Sequence, residues 1–208
     1  MARTKIGIIG AGNMGGAFAK RLAAAGHDIT ITAQDLSHAE QAATAAGNGA
    51  RAVKLDEIAR DADVVILAVP FGAAAEALRG AGDVSGKTVI DISNPLKPDM
   101  SGLQVGHTTS AAEEIQKAVP GAKIVKAFNT TFAQVVGGTG KAQVFVAGDD
   151  AGAKDAVKAL VESAGFEAVD AGPLANARNL EPLGMLNIYF AYMAGRGTGN
   201  APAFVPVG

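Results

Sequence analysis

The stretch from residue 6 to 18, "IGIIGAGNMGGAF", constrains this chain more than any other part of it. Gly10, Gly12 and Gly15 keep the G-x-G-x-x-G spacing. A short β-rich run, Lys5–Ile9, precedes them. A helical pattern over residues 13–25 follows, with Met14, Ala17, Phe18, Leu22 and Ala25 on one face. Gly26 offers a helix stop, and residues 29–32 a second strand. In that frame Gly10 permits the tight turn, Gly12 lets backbone approach a pyrophosphate, and Gly15 lets the helix pack close to the strand. The helix N-terminus turns unpaired N–H groups and its positive dipole end toward the phosphates. A turn that merely needs glycines is the weaker reading, and with no G-K-[S/T] after the glycines a P-loop is excluded.

The alternation continues downstream. Helical patterns cover residues 37–46, 55–62, 72–79, 110–120 and 150–164, the fourth opened by a capping-box spacing in "SAAE". Strand patterns cover residues 52–53, 64–69, 87–92, 123–128, 142–149 and 166–172. "VVILAV" is a continuous apolar run, as in a central parallel strand covered on both faces. Residues 174–194 read as one long terminal helix. Strands alternating with helices predict an α/β fold: a doubly wound, mostly parallel Rossmann-type sheet with a short C-terminal extension ending in that helix. Residues 1–140 form the dinucleotide-binding core, and residues 141–208 supply strands, helix and tail that complete the sheet and an acceptor pocket.

Composition narrows the function classes. Hydrophobic residues at 49% against 18% charged give ample core material for one large domain in 208 residues. A net charge of -2 without a basic run argues against nucleic acid, and zero Cys excludes disulfides, thiolate metal sites and thiol catalysis. The N-terminus superficially resembles a signal peptide. Its apolar run is short and β-branched, and glycines, Lys20 and Arg21 follow it with no cleavage pattern. No apolar stretch reaches the ~18 residues of a membrane span. A cytoplasmic protein is expected.

Bound nucleotide lies along the C-terminal strand ends: Ala68, Val69 and Pro70 after one strand, Asn94 and Pro95 after the next, Asn129 and Thr130 after a third. Asn94 and Asn129 each carry a donor and an acceptor, though an asparagine at a strand end can equally be a cap. The three histidines do not organise a site: His27 sits far from the cofactor, His38 near the adenosine end, His107 in a loop. No Ser/His/Asp arrangement, metal cluster or carboxylate pair emerges, and Asp91 reads as a satisfied polar strand residue. No catalytic acid or base is expected. That suits hydride transfer to a flavin-like ring, which needs stacking and orientation rather than a strong general acid.

The first half, "GIIGAGNMGGAFAKRLAAAGHDI", looks like several reductase families. "VIDISNPLKPD", "VKAFNTTFAQV", "VFVAGDD" and "VDAGPLANARNLEPLGML" resemble the NADPH-dependent coenzyme F420 (deazaflavin) reductase family, and the similarity covers nearly the whole chain. "KAFNT" is also similar to the NADPH-binding domain of membrane ferric reductases. The resemblance implies hydride transfer between NADP(H) and coenzyme F420 or a flavin. The acceptor pocket would come from Asn129, Thr130, Thr131 and Phe132 together with Leu183, Gly184 and Asn187.

Two departures stand out. Asn129 occupies a position where the archaeal deazaflavin enzymes tend to have His. Ala33 and Gln34 stand where the family commonly has Ser-Arg on the 2′-phosphate. Asp35 follows Gly15 by 20 residues, the interval of an NAD ribose-binding acid, and is equally placed to cap the next helix. The expected nucleotide contacts are therefore Gly10, Gly12, Asn13, Met14, Gly15, Ala33, Gln34, Asp35, Ala68, Val69, Pro70, Asn94, Pro95 and Asn129, with NADP(H) first and NAD(H) a close alternative. Competing functions are a non-catalytic dinucleotide sensor or redox-partner subunit, and a small imine or hydroxyacid reductase. For the latter, one helix and a Gly-rich tail after Leu174 leave too little for a large helical second domain. The apolar segment "MLNIYFAYMAGRGTGNAPAF" could pack on a redox partner, close the acceptor pocket or form a homodimer contact, and a homodimer is expected.

Overall fold

Val64–Leu67 (β4) is buried at every position, which only a strand covered on both faces can be. The computed structural model describes residues 3–207 and places β4 near the middle of an eight-stranded sheet. The other strands are β1 (Lys5–Ile9), β2 (Asp28–Thr32), β3 (Arg51–Ala52), β5 (Thr88–Asp91), β6 (Lys123–Lys126), β7 (Gln143–Gly148) and β8 (Glu167–Asp170). Their spatial order is β3-β2-β1-β4-β5-β6-β7-β8. Every pairing is parallel except β6 with β7, where Val125 faces Gly148 and Lys126 faces Ala147 in antiparallel register. The order reverses between β1 and β4, the switch point where such sheets open a crevice at the strand C-termini.

Helices cover both faces. On one lie α1 (Asn13–Ala24), α2 (Leu36–Ala46) and α6 (Ala151–Ser163), which bury Phe18, Leu22, Ala39, Val157 and Leu160 against Ile8, Ile31, Ile66 and Val144. On the other, α3 (Phe71–Arg79) and α4 (Ala111–Ala118) bury Leu78 and Ile115 against Val65, Leu67 and Val89. Side chains cap several of these helices: Asp35 caps α2, Ser110 caps α4 and Asp150 caps α6, each accepting a backbone N–H of the first turn. The first core layer draws on residues both before and after 140, so the boundary expected there falls inside one continuous sheet.

One helix has no counterpart in the sequence pattern, and one expected helix needs revision. A short helix, α5 (Ala133–Gly137), follows β6 and lacks the length for a visible periodic pattern. Residues 55–62 make only a 3₁₀ turn, Leu55–Glu57. The terminal helix is continuous over residues 174–193, as expected, but changes pitch along its length: a 3₁₀ turn (Leu174–Asn176) leads into α7 (Ala177–Ile188), which ends in a π turn (Tyr189–Met193). Pro182 stands inside α7 and has no N–H to give the preceding turn. At the far end the pitch widens, with Ala194 N–H bonded to Tyr189 O and Arg196 N–H to Phe190 O.

Candidate nucleotide and acceptor site

The glycine loop is built from bare backbone. Gly10 takes φ +110, and a side chain there would overlap the Ala68 carbonyl and press on Val69. Its N–H bonds Thr32 O at 2.8 Å, so the loop is wedged between the ends of β2 and β4. A Cβ on Gly15 would overlap Gly10 O, which fixes how closely α1 approaches β1. Gly12 is the opposite case: an added Cβ meets nothing within 4 Å. It is the N-cap of α1, with no side-chain cap and no acid in the first turn. The first-turn N–H groups, starting at Asn13 and Met14, have no side-chain cap, and with the space beside Gly12 open this end of α1 suits a pyrophosphate.

At the end of β2, Ala33 packs against the core while Gln34 and Asp35 are exposed. One oxygen of Asp35 accepts the Ser37 N–H at 2.9 Å, and the Ser37 hydrogen bonds hold its carboxyl below the usual range. That oxygen is committed to capping α2. His27 is structural. Its Nδ1 accepts the Thr4 N–H at 3.2 Å, and its Nε2 lies 2.8 Å from Ser163 Oγ, which itself donates to Leu160 O. Burial lowers the His27 pKa, consistent with a neutral ring. His38 and His107 are exposed.

Beyond the loop lies a crevice of about 450 Å3 that reaches from Asn13 and Met14 to α7. Its hub is an asparagine pair. Asn129 Nδ2 donates to Asn94 Oδ1 (2.9 Å) and to Leu180 O (2.7 Å), while Asn94 Nδ2 donates to Asn129 O (2.7 Å). Asn187 Nδ2 adds a bond to Thr130 O at 3.0 Å. Gly184 lets α7 lie directly on the pair: a Cβ there would come 2.6 Å from Asn94 Oδ1. Asn129 Oδ1 is buried without a hydrogen-bond partner among the described residues, an acceptor that a ligand N–H would satisfy.

Phe128 sets the direction of this loop. It holds φ +60, a left-handed conformation costly for a bulky residue, while its ring stacks edge-on with Phe18 (4.9 Å) and Phe166 (5.8 Å). Thr131 then bonds Phe128 O through both its N–H and its hydroxyl, which closes the turn.

The crevice lining brings together Asn13, Met14, Asn94, Asn129, Thr130, Thr131, Phe132, Gly184 and Asn187. Leu183 points elsewhere, into the apolar cluster of Phe145, Ala147 and Leu180. Pro95 is buried and its carbonyl accepts the Gln104 N–H at 2.6 Å. Pro70 is the exposed N-cap of α3, and neither it nor Pro95 is in the crevice lining. Gln134, Tyr192 and Thr198 also line the crevice; none was singled out from the sequence, though Tyr192 and Thr198 lie in the C-terminal segment for which closing the acceptor pocket was one expected role. Thr198 Oγ donates to Gln134 Oε1 at 2.7 Å, and Phe132 meets Tyr192 edge-on at 6.0 Å. The π turn brings the tail back to this point, and nothing in the local sequence pattern signals that return. No carboxylate, imidazole, ammonium or guanidinium is among the lining side chains.

Beneath the crevice lies a buried charge network. Lys126 Nζ bonds Asp91 Oδ2 (2.6 Å), Glu181 Oε1 (2.8 Å) and Ser93 O (2.8 Å), and the side chains of Lys126 and Asp91 are 0% exposed. Asp91 Oδ1 accepts the Ser93 N–H, while Glu181 accepts the N–H groups of Ala111 and Ala112 at the start of α4. Burial pushes the Glu181 pKa up, against the opposing pull of Lys126 and the Ala111 N–H. Asp91 is thus a satisfied strand residue, but its partners were missed. The available signal was a lysine inside the apolar strand "KIVKAF", which must find a buried counter-charge.

Residues 5–95 match the model of a family described as coenzyme F420-dependent NADP oxidoreductases. The F420-dependent NADP reductase of Methanothermobacter marburgensis is 30% identical over 201 residues, covering 86% of this chain and 88% of that one. The metalloreductase STEAP3 of Rattus norvegicus is 29% identical over 182 residues; the match takes in 86% of this chain but only 36% of that protein's length. A crystal structure from Arthrobacter sp. FB24, of a protein provisionally described as an F420-dependent NADP reductase, superposes with a TM-score of 0.84 at 30% identity, covering 94% of this chain and 96% of that one.

Proposed function

The chain belongs to the F420-dependent NADP reductase family, and from that premise we propose how its crevice serves an NADP-dependent oxidoreductase. Hydride passes between the nicotinamide of NADP(H), with NAD(H) as the close alternative, and coenzyme F420 or a related flavin. One observation carries the reading: the crevice beside the glycine loop is lined by amides, hydroxyls and aromatic or apolar groups, with no charged side chain. Such a lining orients flat, polar-edged rings and excludes water, yet offers no strong acid for reducing a carbonyl.

In this reading Gly10, Gly12 and Gly15 shape the loop while the N–H groups of Asn13 and Met14 hold the pyrophosphate. Gln34 and Ala33 lie at the adenosine end, and Ala68 and Val69 back the loop. A bound reduced nicotinamide supplies the hydride. Asn94 and Asn129 offer hydrogen bonds to polar ring edges, and the unpartnered Asn129 Oδ1 takes an N–H. Thr130, Thr131, Phe132, Gly184 and Asn187 form the wall against which the acceptor stacks. Hydride addition leaves the acceptor ring as its anion, which takes its proton from solvent, so none of these residues needs to move a proton.

The deciding experiment is steady-state oxidation of NADPH and NADH by purified protein against a panel of deazaflavin and flavin acceptors. Turnover with at least one of them is expected. Tight nucleotide binding without hydride transfer to any acceptor would instead favour the sensor or redox-partner reading. Tyr189, Tyr192 and Met193 are 51%, 59% and 68% exposed at the end of α7. We assign that apolar end to a homodimer contact, so light scattering should give twice the 20.8 kDa chain mass. No described helix is long and apolar enough to cross a membrane, and we place the activity in the cytoplasm.

A further inference from the structure

We propose that the buried Asp91–Lys126–Glu181 network is a positioning device that sets the width of the acceptor crevice. The network and the crevice wall are two layers of one construction. Three residues beyond Asp91, Lys126 and Glu181 stand Asn94, Asn129 and Gly184, so each charged residue has a crevice counterpart on its own segment. In the lower layer Lys126 ties the end of β5 to the end of β6 and both to α7, at 2.6 and 2.8 Å. In the upper layer the asparagine pair joins the same two strand ends, and Gly184 of α7 rests on it.

Stability alone is a poor reason for such a network. Three buried charged groups lose their hydration, and apolar side chains of similar volume often hold a fold equally well. What the charges add is direction, because charge-assisted hydrogen bonds are short and angle-dependent. Direction matters here because the upper layer has little slack. If α7 moved inward, Gly184 would collide with Asn94; if it moved outward, Asn129 Nδ2 would lose Leu180 O at 2.7 Å. Glu181 also accepts two N–H groups of α4, so the helix that sets the wall is held from both sides. Lys126, Asp91 and Glu181 touch no ligand in this scheme, and they act through Asn94, Asn129 and Gly184.

The inference rests on the reading that this crevice takes the acceptor, and the test separates the two. In Glu181→Gln the Asp91–Lys126 pair stays neutral and an amide oxygen remains for the Ala111 N–H. Hydrogen exchange of residues 177–188 and 127–132 should quicken by roughly 10-fold, the amides at the start of α4 that Glu181 accepts should quicken with them, and segments away from the network should stay unchanged. With the best flavin-type acceptor, its KM should rise roughly 10-fold while the KM for NADPH stays within about 2-fold. Unchanged exchange in those two segments overturns the proposal. So does a fall in kcat per mole of protein with both KM values unchanged, which marks a merely structural role. Wild-type protein inactive with every acceptor overturns the proposed function instead, and exchange alone then decides this one. Should Glu181→Gln fail to fold, the neutral triple variant Asp91→Asn, Lys126→Met, Glu181→Gln replaces it. A folded triple variant with wild-type exchange in the same segments and a wild-type acceptor KM also defeats the proposal.

Discussion

The two ends of the crevice offer opposite materials to the ligands proposed for them. At the glycine loop the working surface is backbone from one contiguous stretch, Gly10 to Gly15, shaped by the absence of side chains. At the acceptor end it is side chains, drawn from the ends of β5 and β6, from α7 and from the returning tail. A backbone surface grips what all dinucleotides share, the pyrophosphate. A side-chain surface grips what distinguishes one ring from another. The first end is therefore sensitive to added atoms and the second to displaced ones.

The contrast is broken most directly at the loop. In Gly15→Ala the new methyl overlaps Gly10 O, so the helix must leave the strand. We expect a loss of about 3 kcal/mol or more in a denaturant titration, and no measurable nucleotide binding. Gly12→Ala has free space for its methyl in the protein alone and should lose at most about 1 kcal/mol, the cost of alanine at a helix N-cap. Its nucleotide affinity should still fall by roughly 10-fold or more, because the methyl occupies the approach to the phosphates. Equal stability losses in the two variants would mean that Gly12, too, serves packing rather than ligand.

Gly184→Ala tests the other end. Its methyl would sit 2.6 Å from Asn94 Oδ1 and 2.9 Å from Asn129 O, so α7 or the asparagine pair must shift. The expected cost is about 1–3 kcal/mol, with a raised acceptor KM and a clearly smaller loss of NADP(H) affinity by fluorescence titration, since the glycine loop is untouched. A matching loss of nucleotide affinity would show that the two ends are not separate sites.

The same contrast explains what was legible beforehand. The alternation of strands and helices and the glycine loop follow from local signals: apolar runs, a 3.6-residue period, and a glycine spacing within a few residues. The acceptor end depends on partners far apart in the chain, such as Asn94 with Asn129, 35 residues away, and Asn129 with Leu180, 51 away. Asn94, Asn129 and Gly184 could be picked out singly, as residues at strand ends or through family resemblance, but not as a bonded cluster. Leu183 was misplaced because one residue along a helix turns a side chain by about 100°, from the crevice to the apolar cluster. Lys126 announced a buried counter-charge without naming it, and Tyr192 and Thr198 depend on the π turn that folds the tail back.

The smallest expected effect concerns nucleotide choice at Gln34 and Asp35. The carboxylate that could exclude a 2′-phosphate is already bonded to the Ser37 N–H, so capping is its first task. Asp35→Ala should lower Tm by a few degrees through loss of the cap, with little change in the NADPH/NADH ratio of kcat/KM. The Ser37 hydrogen bonds depress the Asp35 pKa in the folded chain. The cap's contribution is therefore fully present above the ordinary aspartate range and is lost as pH falls through the lower folded value. The Tm gap between wild type and Asp35→Ala should accordingly narrow in acid. Gln34→Arg with Asp35→Ser keeps a capping side chain and adds a guanidinium near the expected 2′-phosphate. It should raise the NADPH/NADH ratio severalfold. An unchanged ratio in that pair would place nucleotide selectivity outside the end of β2 and leave Asp35 as a helix cap alone.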